Sequence, residues 1–275
     1  MFGRNEIVGR KNFPSDDELL VTSYFVTLQG EGPYSGLPAV FVRLAKCNLA
    51  CSFCDTYFDS GDWMTFDELD TRLNDEVWDS PLDKKDYVLV ITGGEPMLQQ
   101  ALPLWLNRQL EDWKAIQIES NGTSYQVMSN HVTLVVSPKC AEKNGKPTKY
   151  LRPNIKMLEC ANHLKFVMDS DPTSPYYEIP DWALEWKRTR VNKDKQIFVS
   201  PMNVYNRAPA KAKTARNSNS TTVEDRSKIE EVISFWEPGL LDLKANERNH
   251  LHAAQYAMKH GLRFQVQAHL YAGLA

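Results

Sequence analysis

Several features are missing from this sequence of 275 residues, and each absence argues against a class of protein. No apolar run is long enough to cross a bilayer. Basic and acidic residues nearly balance, with a formal net charge of -3, so nothing overall predicts a nucleic-acid or membrane partner. The stretch from Met1 to Glu18 lacks the apolar core of a secretory signal and the acid-poor composition of a transit peptide. We therefore expect a cytoplasmic protein.

Cysteine is also scarce, and its odd count of five argues against a disulfide framework in a chain of this size. Cys47, Cys51 and Cys54 nevertheless crowd into eight residues. In a reducing compartment, such crowding indicates metal binding rather than crosslinking. Cys140 and Cys160 form no second group of this kind. We interpret them as ordinary thiols, because free cysteine is commonly a small buried hydrophobe.

Short apolar runs rich in valine, isoleucine and phenylalanine are present, and they predict buried parallel strands. These runs are Ala39 to Ala45, Tyr87 to Thr92, Ala115 to Glu119, Val132 to Val136, His163 to Met168, Gln196 to Val199 and Arg263 to Gln267. Helical patterns between several of them imply right-handed βαβ units and a parallel sheet. About six strands are too few for a closed eight-stranded barrel, so we predict an α/β fold with an open, partial parallel β/α barrel.

Three helices are predicted with defined ends. Thr65 and Glu68 have the spacing of a capping box, which starts the first helix. Pro96 can occupy the first turn of a second helix that runs towards Leu110, with a kink at Pro103. The third helix is predicted from Glu247 to His260, where the glycine that follows ends it.

The chain is predicted to form one domain over 21–275, preceded by an N-terminal extension over 1–20. Two polar insertions are expected near 140–155 and 206–224. The stretch from Asn206 to Thr222 contains four basic residues and no acidic one. Both a mobile surface loop and a basic lid that contacts an anionic partner fit this composition.

The three clustered cysteines have the spacing Cys-x3-Cys-x2-Cys and follow a predicted strand. Three thiolates so spaced can bind three corners of a cubane cluster, whereas iron-sulfur clusters are usually bound by four cysteines. The missing fourth thiolate leaves one iron open to a ligand that is not protein. Structural zinc, completed by a distant Cys or His, is the alternative.

A second motif, Thr92-Gly93-Gly94-Glu95-Pro96, follows another predicted strand. Its two glycines allow a close backbone approach to a ligand at the strand end, and Glu95 can steady the loop. Together the two motifs resemble the radical S-adenosylmethionine (SAM) superfamily. That resemblance implies a [4Fe-4S] cluster on the three clustered cysteines, with SAM bound at the open iron. An electron from the cluster then cleaves SAM and releases a 5'-deoxyadenosyl radical.

The residues around these motifs resemble 7-carboxy-7-deazaguanine synthase, a radical SAM family of 7-deazapurine biosynthesis. The resemblance extends from about Tyr24 to the end and fails over the two insertions. The matching segments are Thr27 to Gly32, Gly36 to Leu44, Cys54 to Thr56, Gly93 to Gln99, Glu119 to Gly122, Val136 to Lys139, Pro201 to Met202 and Gln267 to His269.

The resemblance implies a small-molecule pterin substrate, 6-carboxy-5,6,7,8-tetrahydropterin, from which the adenosyl radical takes the hydrogen at C6. The ring then contracts, ammonia leaves and 7-carboxy-7-deazaguanine forms, while SAM is regenerated and Mg²⁺ assists. The product can serve queuosine, archaeosine or a modified DNA base. A homodimer and a reductase such as a flavodoxin are also implied, and nucleic acid is not expected as the direct substrate.

Site residues follow from the resemblance position by position. Arg43 matches the arginine that meets the substrate carboxylate, for which a planar fork is suited. Thr56 matches the magnesium ligand, since this hard cation prefers oxygen. The other substrate contacts implied are Leu28, Gln29, Gly30, Glu31, Thr92, His269 and the terminal carboxylate of Ala275. The SAM contacts implied are Phe53, Cys54, Asp55, Gly94, Glu119, Ser137, Pro138, Lys139, Ser200, Pro201, Met202 and Asn203.

Two alternatives share part of this evidence. Another radical SAM enzyme, such as an activase that makes a glycyl radical, has the same cysteine loop. The segment from Gln29 to Gly32, together with Arg43 and the Asp55-Thr56 pair, favours the deazaguanine synthase. A zinc-binding adaptor that holds nucleic acid with the basic insertion is the non-enzymatic alternative, and it would be colourless whereas a cluster protein is brown.

Overall fold

The structure is a computed structural model, and it describes residues 7–188, 195–205, 242–268 and 274. The described residues form eleven strands and five α-helices. The strands are β1 (Glu18–Leu28), β2 (Pro38–Leu44), β3 (Asp62–Thr65), β4 (Val88–Gly93), β5 (Ala115–Ser120), β6 (Val132–Val136), β7 (Cys140–Lys143), β8 (Lys146–Tyr150), β9 (His163–Met168), β10 (Gln196–Pro201) and β11 (Arg263–Phe264). The helices are α1 (Phe66–Trp78), α2 (Leu102–Gln109), α3 (Ile155–Cys160), α4 (Asp181–Arg188) and α5 (Leu243–His260).

Nine of the eleven described strands form one sheet, in the order β11-β10-β9-β6-β5-β4-β2-β1-β3. All pairs from β11 to β2 are parallel. The remaining two strands are antiparallel, since β1 pairs with β2 and β3 pairs with β1. The predicted α/β class with a mainly parallel sheet is confirmed, and each of the seven predicted runs overlaps a strand of the parallel part. The partial barrel is a finer prediction that these pairings do not test.

The main hydrophobic core packs on one face of the sheet, where alternate residues of the parallel strands meet the inner faces of the helices. A smaller, separate cluster contains Ala39, Val88 and Val90. In α1, Phe66, Leu69 and Leu73 are buried at helical spacing. In α2, Trp105 is fully buried, and its indole N–H donates to Asp70 at 2.8 Å. This core holds the parallel strands side by side, which fixes the positions of the loops that follow them.

The ends of two predicted helices are confirmed by their capping contacts. At the start of α1, the Glu68 backbone N–H donates to the Thr65 hydroxyl at 3.3 Å, and the Glu68 carboxylate accepts from the Thr65 backbone N–H at 2.9 Å. At the end of α5, Gly261 has the left-handed φ of 61°, which an αL cap requires. This helix begins at Leu243, earlier than predicted, because Asp242 caps it by accepting from the Ala245 N–H.

The predicted second helix was wrong in its course. Pro96–Leu98 forms a separate 3-10 turn, and α2 begins only at Leu102. Pro103 lies in the first turn of α2, where its missing N–H costs nothing, and does not kink the helix. The sequence pattern merged the two elements because both carry apolar residues at compatible spacing.

The region of the first predicted insertion contains a two-stranded hairpin of β7 and β8. Asn144 and Gly145 have φ angles of 54° and 71°, which suits a tight hairpin turn. The predicted N-terminal extension ends within an element, because β1 begins at Glu18. The second insertion, near 206–224, lies outside the described residues, and the division into domains stays a prediction. Within the described part of the chain, no helix is long and apolar enough to cross a membrane.

Candidate active site

A cavity opens where the parallel strands end, and loops that follow several strands line it together. The cysteine loop follows β2, the glycine pair ends β4, and Glu119 and Asn121 lie at the end of β5. Carboxyl ends of parallel strands meet at one edge of a sheet, which explains why segments far apart in the sequence share one cavity.

The three clustered cysteines all line this cavity. Cys47 and Cys51 are buried and Cys54 is partly buried. The Leu49 backbone N–H donates to Cys47 Sγ at 3.4 Å, and the Asn121 side-chain amide lies at 3.8 Å from the same sulfur. Burial raises the pKa of the Cys47 and Cys54 thiols to about 12, so binding of a metal cofactor here must displace protons.

The donor set fits an iron-sulfur cluster. Among the described residues, no three His, Cys, Asp or Glu side chains converge on a point where one ion could bind. A cubane differs from a single ion because each thiolate binds its own iron, so the sulfurs stand further apart. The three cavity-lining thiols, with backbone and amide N–H groups around Cys47, therefore match the donors of a site-differentiated cluster.

The glycine pair of the second motif packs against the cysteine loop itself. The Gly94 N–H donates to the Leu44 carbonyl at 2.8 Å, and the Glu95 N–H donates to the Lys46 carbonyl at 2.9 Å. A Cβ at Gly94 would lie 1.8 Å from the Lys46 carbonyl oxygen, and Gly93 has the left-handed φ of 109°. The motif needs glycine here because its backbone touches the backbone at Lys46. This reason holds whether or not a ligand also approaches the two glycines.

Glu95 is fully buried and connects the loops after β4 and β5. Its carboxylate accepts from the Ser120 hydroxyl and the Asn121 backbone N–H, both at 2.7 Å, and from the Met97 N–H at 3.0 Å. Burial raises the pKa of Glu95, and these three donors act in the opposite direction. The predicted role of Glu95 in steadying the loop is supported by these contacts.

Arg43 presents an incompletely satisfied guanidinium to the cavity. Its planar group lies over the Phe25 ring, with the central carbon 4.6 Å from the ring centroid, and Phe25 stacks on Phe41 at 5.4 Å. All three side chains line the cavity. Arg43 Nε is buried and has no hydrogen-bond partner among the described residues. Burial lowers the pKa of Arg43, and the nearby Asp55 and Cys54 counteract that shift. A buried, unpartnered donor of this kind suits an anionic ligand.

A network of carboxylates and amides also lines the cavity. Gln29 donates to Glu119 at 3.3 Å, and its own amide oxygen accepts from the Glu31 backbone N–H at 3.1 Å. Lys165 Nζ contacts both Glu31 and Glu119. Gln267 donates to Asp55 at 3.1 Å and so joins this network to the cysteine loop. The cavity thus brings together three thiols and a dense set of polar groups.

Curated relatives with a common name resemble this chain over most of their length. A 7-carboxy-7-deazaguanine synthase of Rickettsia prowazekii is 35% identical over 186 residues, which are 66% of this chain and 78% of that protein. The synthase of Rhodospirillum rubrum is 38% identical over 183 residues, 66% of this chain and 71% of the relative. The chain belongs to the 7-carboxy-7-deazaguanine synthase family. No family model matches the sequence.

The structural comparison supports the fold of this synthase family member. The crystal structure of QueE from Escherichia coli matches with a TM-score of 0.55 at 18% sequence identity, over 90% of this chain and 93% of that chain. At this identity the match shows the fold alone. The predicted family is confirmed by the relatives, and with it the enzyme class, a radical SAM enzyme, which implies a [4Fe-4S] cluster and SAM.

Most residues implied by resemblance to the synthase family lie around the one cavity. Leu28, Gly30, Pro138 and Met202 are not among its lining residues, although each is adjacent in sequence to one. Both His269 and Ala275 lie outside the described residues. The implied residues that line the cavity are Gln29, Glu31, Arg43, Cys47, Cys51, Phe53, Cys54, Asp55, Thr56, Thr92, Gly94, Glu119, Ser137, Lys139, Ser200, Pro201 and Asn203.

Several residues of this synthase site were not predicted from the sequence. Lys165 interrupts an apolar run, and a charged residue inside a predicted buried strand is unusual. It belongs to none of the matched family motifs, so it was given no role. Asn121 and Gln267 belong to matched motifs but received no role. Nothing in the sequence marked Phe25 or Tyr205 as site residues. The Tyr205 hydroxyl is buried without a partner among the described residues. Only the fold brings Phe25 and Tyr205 to the cavity.

Proposed function

We propose that this protein converts 6-carboxy-5,6,7,8-tetrahydropterin to 7-carboxy-7-deazaguanine with release of ammonia, as a step of 7-deazapurine biosynthesis. The observation that carries the proposal is one cavity lined by two chemically different sets of groups. The thiols of Cys47, Cys51 and Cys54 line it, and the guanidinium of Arg43 and the carboxylate of Glu31 line the same space. A cofactor and a polar substrate can therefore meet there.

The thiols of Cys47, Cys51 and Cys54 hold the [4Fe-4S] cluster in this proposal, and SAM binds beside them. When bound, the two cofactors supply a reducing electron and the power to abstract a hydrogen atom from carbon. The chain supplies binding, orientation and shielding. Lys139 donates to the Ser137 carbonyl at 2.9 Å and to its hydroxyl at 2.6 Å, which fixes the segment assigned to SAM beside Cys51.

The proposed substrate contacts are assigned by their chemistry. Arg43 offers a planar pair of donors to the substrate carboxylate, and its stacking on Phe25 fixes the plane of that fork. Gln29 has both an amide donor and acceptor, and Glu31 is an acceptor, which suits the mixed donor and acceptor edge of a pterin. Thr92 and Phe41 line the same part of the chain's cavity.

Magnesium is proposed to bind at Thr56, directly after the cysteine loop. The Thr56 hydroxyl donates to Asp55 at 3.1 Å, so a hydroxyl and a carboxylate, both oxygen ligands, lie side by side at the cavity wall. Mg²⁺ typically takes one or two protein oxygens and completes its shell with water and substrate. Thr56→Val should raise the Mg²⁺ concentration needed for half-maximal activity, whereas unchanged Mg²⁺ dependence would contradict this assignment.

Three further proposals concern parts of the molecule that the described residues do not include or do not test. His269 and the Ala275 carboxylate are proposed to contact the substrate, and a C-terminal tag that left both KM and kcat unchanged would remove the second contact. A homodimer is proposed, and sedimentation of the purified protein would test it. A reductase such as a flavodoxin is proposed as the electron source, and replacement of dithionite by that reductase would test it.

The decisive experiment is an anaerobic assay of the reconstituted protein with dithionite, SAM, Mg²⁺ and the pterin, in which the product is followed by mass spectrometry. We expect 7-carboxy-7-deazaguanine, and we expect its loss in Cys51→Ala but not in the matched control Cys160→Ala, whose thiol is exposed and outside the cavity. Cleavage of SAM without deazaguanine would contradict the substrate, and a colourless, zinc-containing protein would contradict the cofactor.

A further inference from the structure

Lys165 is a lysine in the middle of a buried strand. It lies on β9 between Leu164 and Phe166, both fully buried, and is itself only 6% exposed. A buried ammonium group is costly unless it is paired. Its Nζ lies 3.0 Å from Glu31 Oε2 and also contacts Glu119 Oε2. One cation therefore binds two carboxylates inside the cavity.

The two carboxylates belong to different parts of the fold. Glu31 follows β1 at one end of the sheet, and Glu119 lies on β5 near its centre. Each carboxylate is also held by a glutamine. Gln265 donates to Glu31 at 3.3 Å, and Gln117 donates to Glu119 at 3.0 Å. Lys165 thus connects the Glu31–Gln265 pair to the Glu119–Gln117 pair through two ionic contacts.

We propose that Lys165 is a positioning residue that couples the pterin side of the cavity to the SAM side. The inference rests on the proposed function, in which Glu31 contacts the pterin and Glu119 contacts SAM. Lys165 acts through these two carboxylates and does not itself need to touch either ligand. It holds the oxygens of both carboxylates in fixed directions.

The electrostatic reason lies in what the two carboxylates would do without the cation. Glu31 and Glu119 are partly buried in one site, so without the cation their carboxylates repel and at least one of them turns away. The carboxylates raise the pKa of Lys165 although burial acts to lower it, and Lys165 lowers the pKa of Glu119 against the effect of burial. Loss of the lysine therefore changes both ligand contacts at once, which a residue serving only one subsite would not do.

The test measures binding to the cluster-loaded protein by calorimetry, with SAM alone and with the pterin in the presence of SAM. When its carboxylate turns away, each ligand loses a hydrogen bond to a charged group, so in Lys165→Met we expect both dissociation constants to rise about tenfold or more. Lys195→Met is the matched control, since it removes a lysine that donates to the Ala161 carbonyl and does not line the cavity. We expect no change in that variant.

A double-mutant cycle separates positioning from general damage. Glu31→Gln and Glu119→Gln each remove one partner, and Lys165→Met is added to each. If the lysine acts through Glu31, its effect on pterin binding should fall to about threefold or less in the Glu31→Gln background, because coupled residues are non-additive. Glu119→Gln should do the same for SAM binding. The double variants also keep the test open if Lys165→Met fails to fold, since they leave fewer unpaired charges.

The outcomes are distinguishable from failure of the proposed function. If the wild-type protein forms no deazaguanine, the function is wrong, whatever Lys165 does. If it forms the product while Lys165→Met changes binding of only one ligand, or binds both like the wild type, the coupling role is overturned. Fully additive effects in both cycles would also overturn it, because they would assign to Lys165 a role independent of the two carboxylates.

Discussion

At the scale of single residues, the cavity depends on buried polar groups whose partners are specified atom by atom. Three protein donors satisfy the Glu95 carboxylate, so Glu95 stabilises the loops around the cavity and is not available to a ligand. Arg43 is the opposite case, because its Nε lacks a partner among the described residues while its plane is fixed by Phe25. A satisfied buried group stabilises the site, whereas an unsatisfied one is available to a ligand.

Replacement of Arg43 by lysine should weaken substrate binding more than it affects SAM. Lysine keeps the charge but loses the planar fork and the stacking on Phe25. A hydrogen bond to a charged group contributes about 1.5 to 3 kcal/mol, so we expect the KM for the pterin to rise about tenfold or more. Steady-state kinetics would measure this, with SAM affinity as the internal control. An unchanged KM would show that Arg43 does not bind the carboxylate.

Glu95→Gln should destabilise the fold. The glutamine side chain places an NH₂ donor where the carboxylate accepts from Ser120, Asn121 and Met97, so at least one donor loses its partner. An unsatisfied buried polar group costs about 1 to 3 kcal/mol. Urea unfolding of the cluster-free protein would measure the change. Glu68→Gln, at an exposed capping box, is the control, and equal unfolding midpoints in the two variants would contradict the prediction.

At the scale of elements, the site is made where loops dock on one another. Backbone hydrogen bonds join the end of β4 to the loop after β2, and Glu95 joins it to the loop after β5. The hairpin of β7 and β8 adds a further contact, because Glu142 accepts from the Ser52 backbone N–H in the cysteine loop. The cysteine loop is therefore braced by three neighbouring elements before any cofactor binds.

Gly94→Ala should disrupt the cysteine loop. The added Cβ would lie 1.8 Å from the Lys46 carbonyl oxygen, so one of the two backbone segments must move. We expect the variant to incorporate less iron and sulfide on reconstitution, as measured by the charge-transfer absorbance of the cluster and by metal analysis. Gly9→Ala is the matched control, since a Cβ there meets nothing within 4 Å. Equal cluster content in both variants would contradict this explanation.

At the scale of the whole molecule, the hydrophobic core and the cavity are separate. The core runs through the strands and the inner helix faces, whereas the clustered cysteines lie in a loop at one edge of the sheet. Most of the folding free energy of a domain comes from apolar burial. The fold should therefore persist when the cofactor is removed.

Removal of the cluster by a chelator should loosen the site without unfolding the protein. We expect faster hydrogen exchange in 46–58 and in the adjoining 92–95 and 119–123, because these segments contact one another. The central strands, from β4 to β9, should keep their protection. Mass spectrometry of exchanged peptides would measure both. A uniform loss of protection across the sheet would show instead that the cluster is needed for the fold.

The sequence by itself determined the cysteine loop, the parallel strands and the family, because each depends on local order. Spacing of thiols is a covalent property, and a buried strand shows as a short run rich in apolar residues. The helix over Phe66–Trp78 was readable for the same reason, since its capping box lies within four residues. The start of α2 at Leu102 could not be predicted in this way. Pro96 and Pro103 both suit the first turn of a helix, and no local pattern decides between them.

Only the tertiary structure decided which polar groups meet. Glu31, Glu119 and Lys165 are separated by 88 and 46 positions in the sequence, and their contact depends on the order of strands in the sheet. The sequence marked Lys165 only as a charge in an apolar run, and it left Phe25 and Tyr205 without any signal. Strand order and loop docking are set by packing of the whole core, which no local pattern contains.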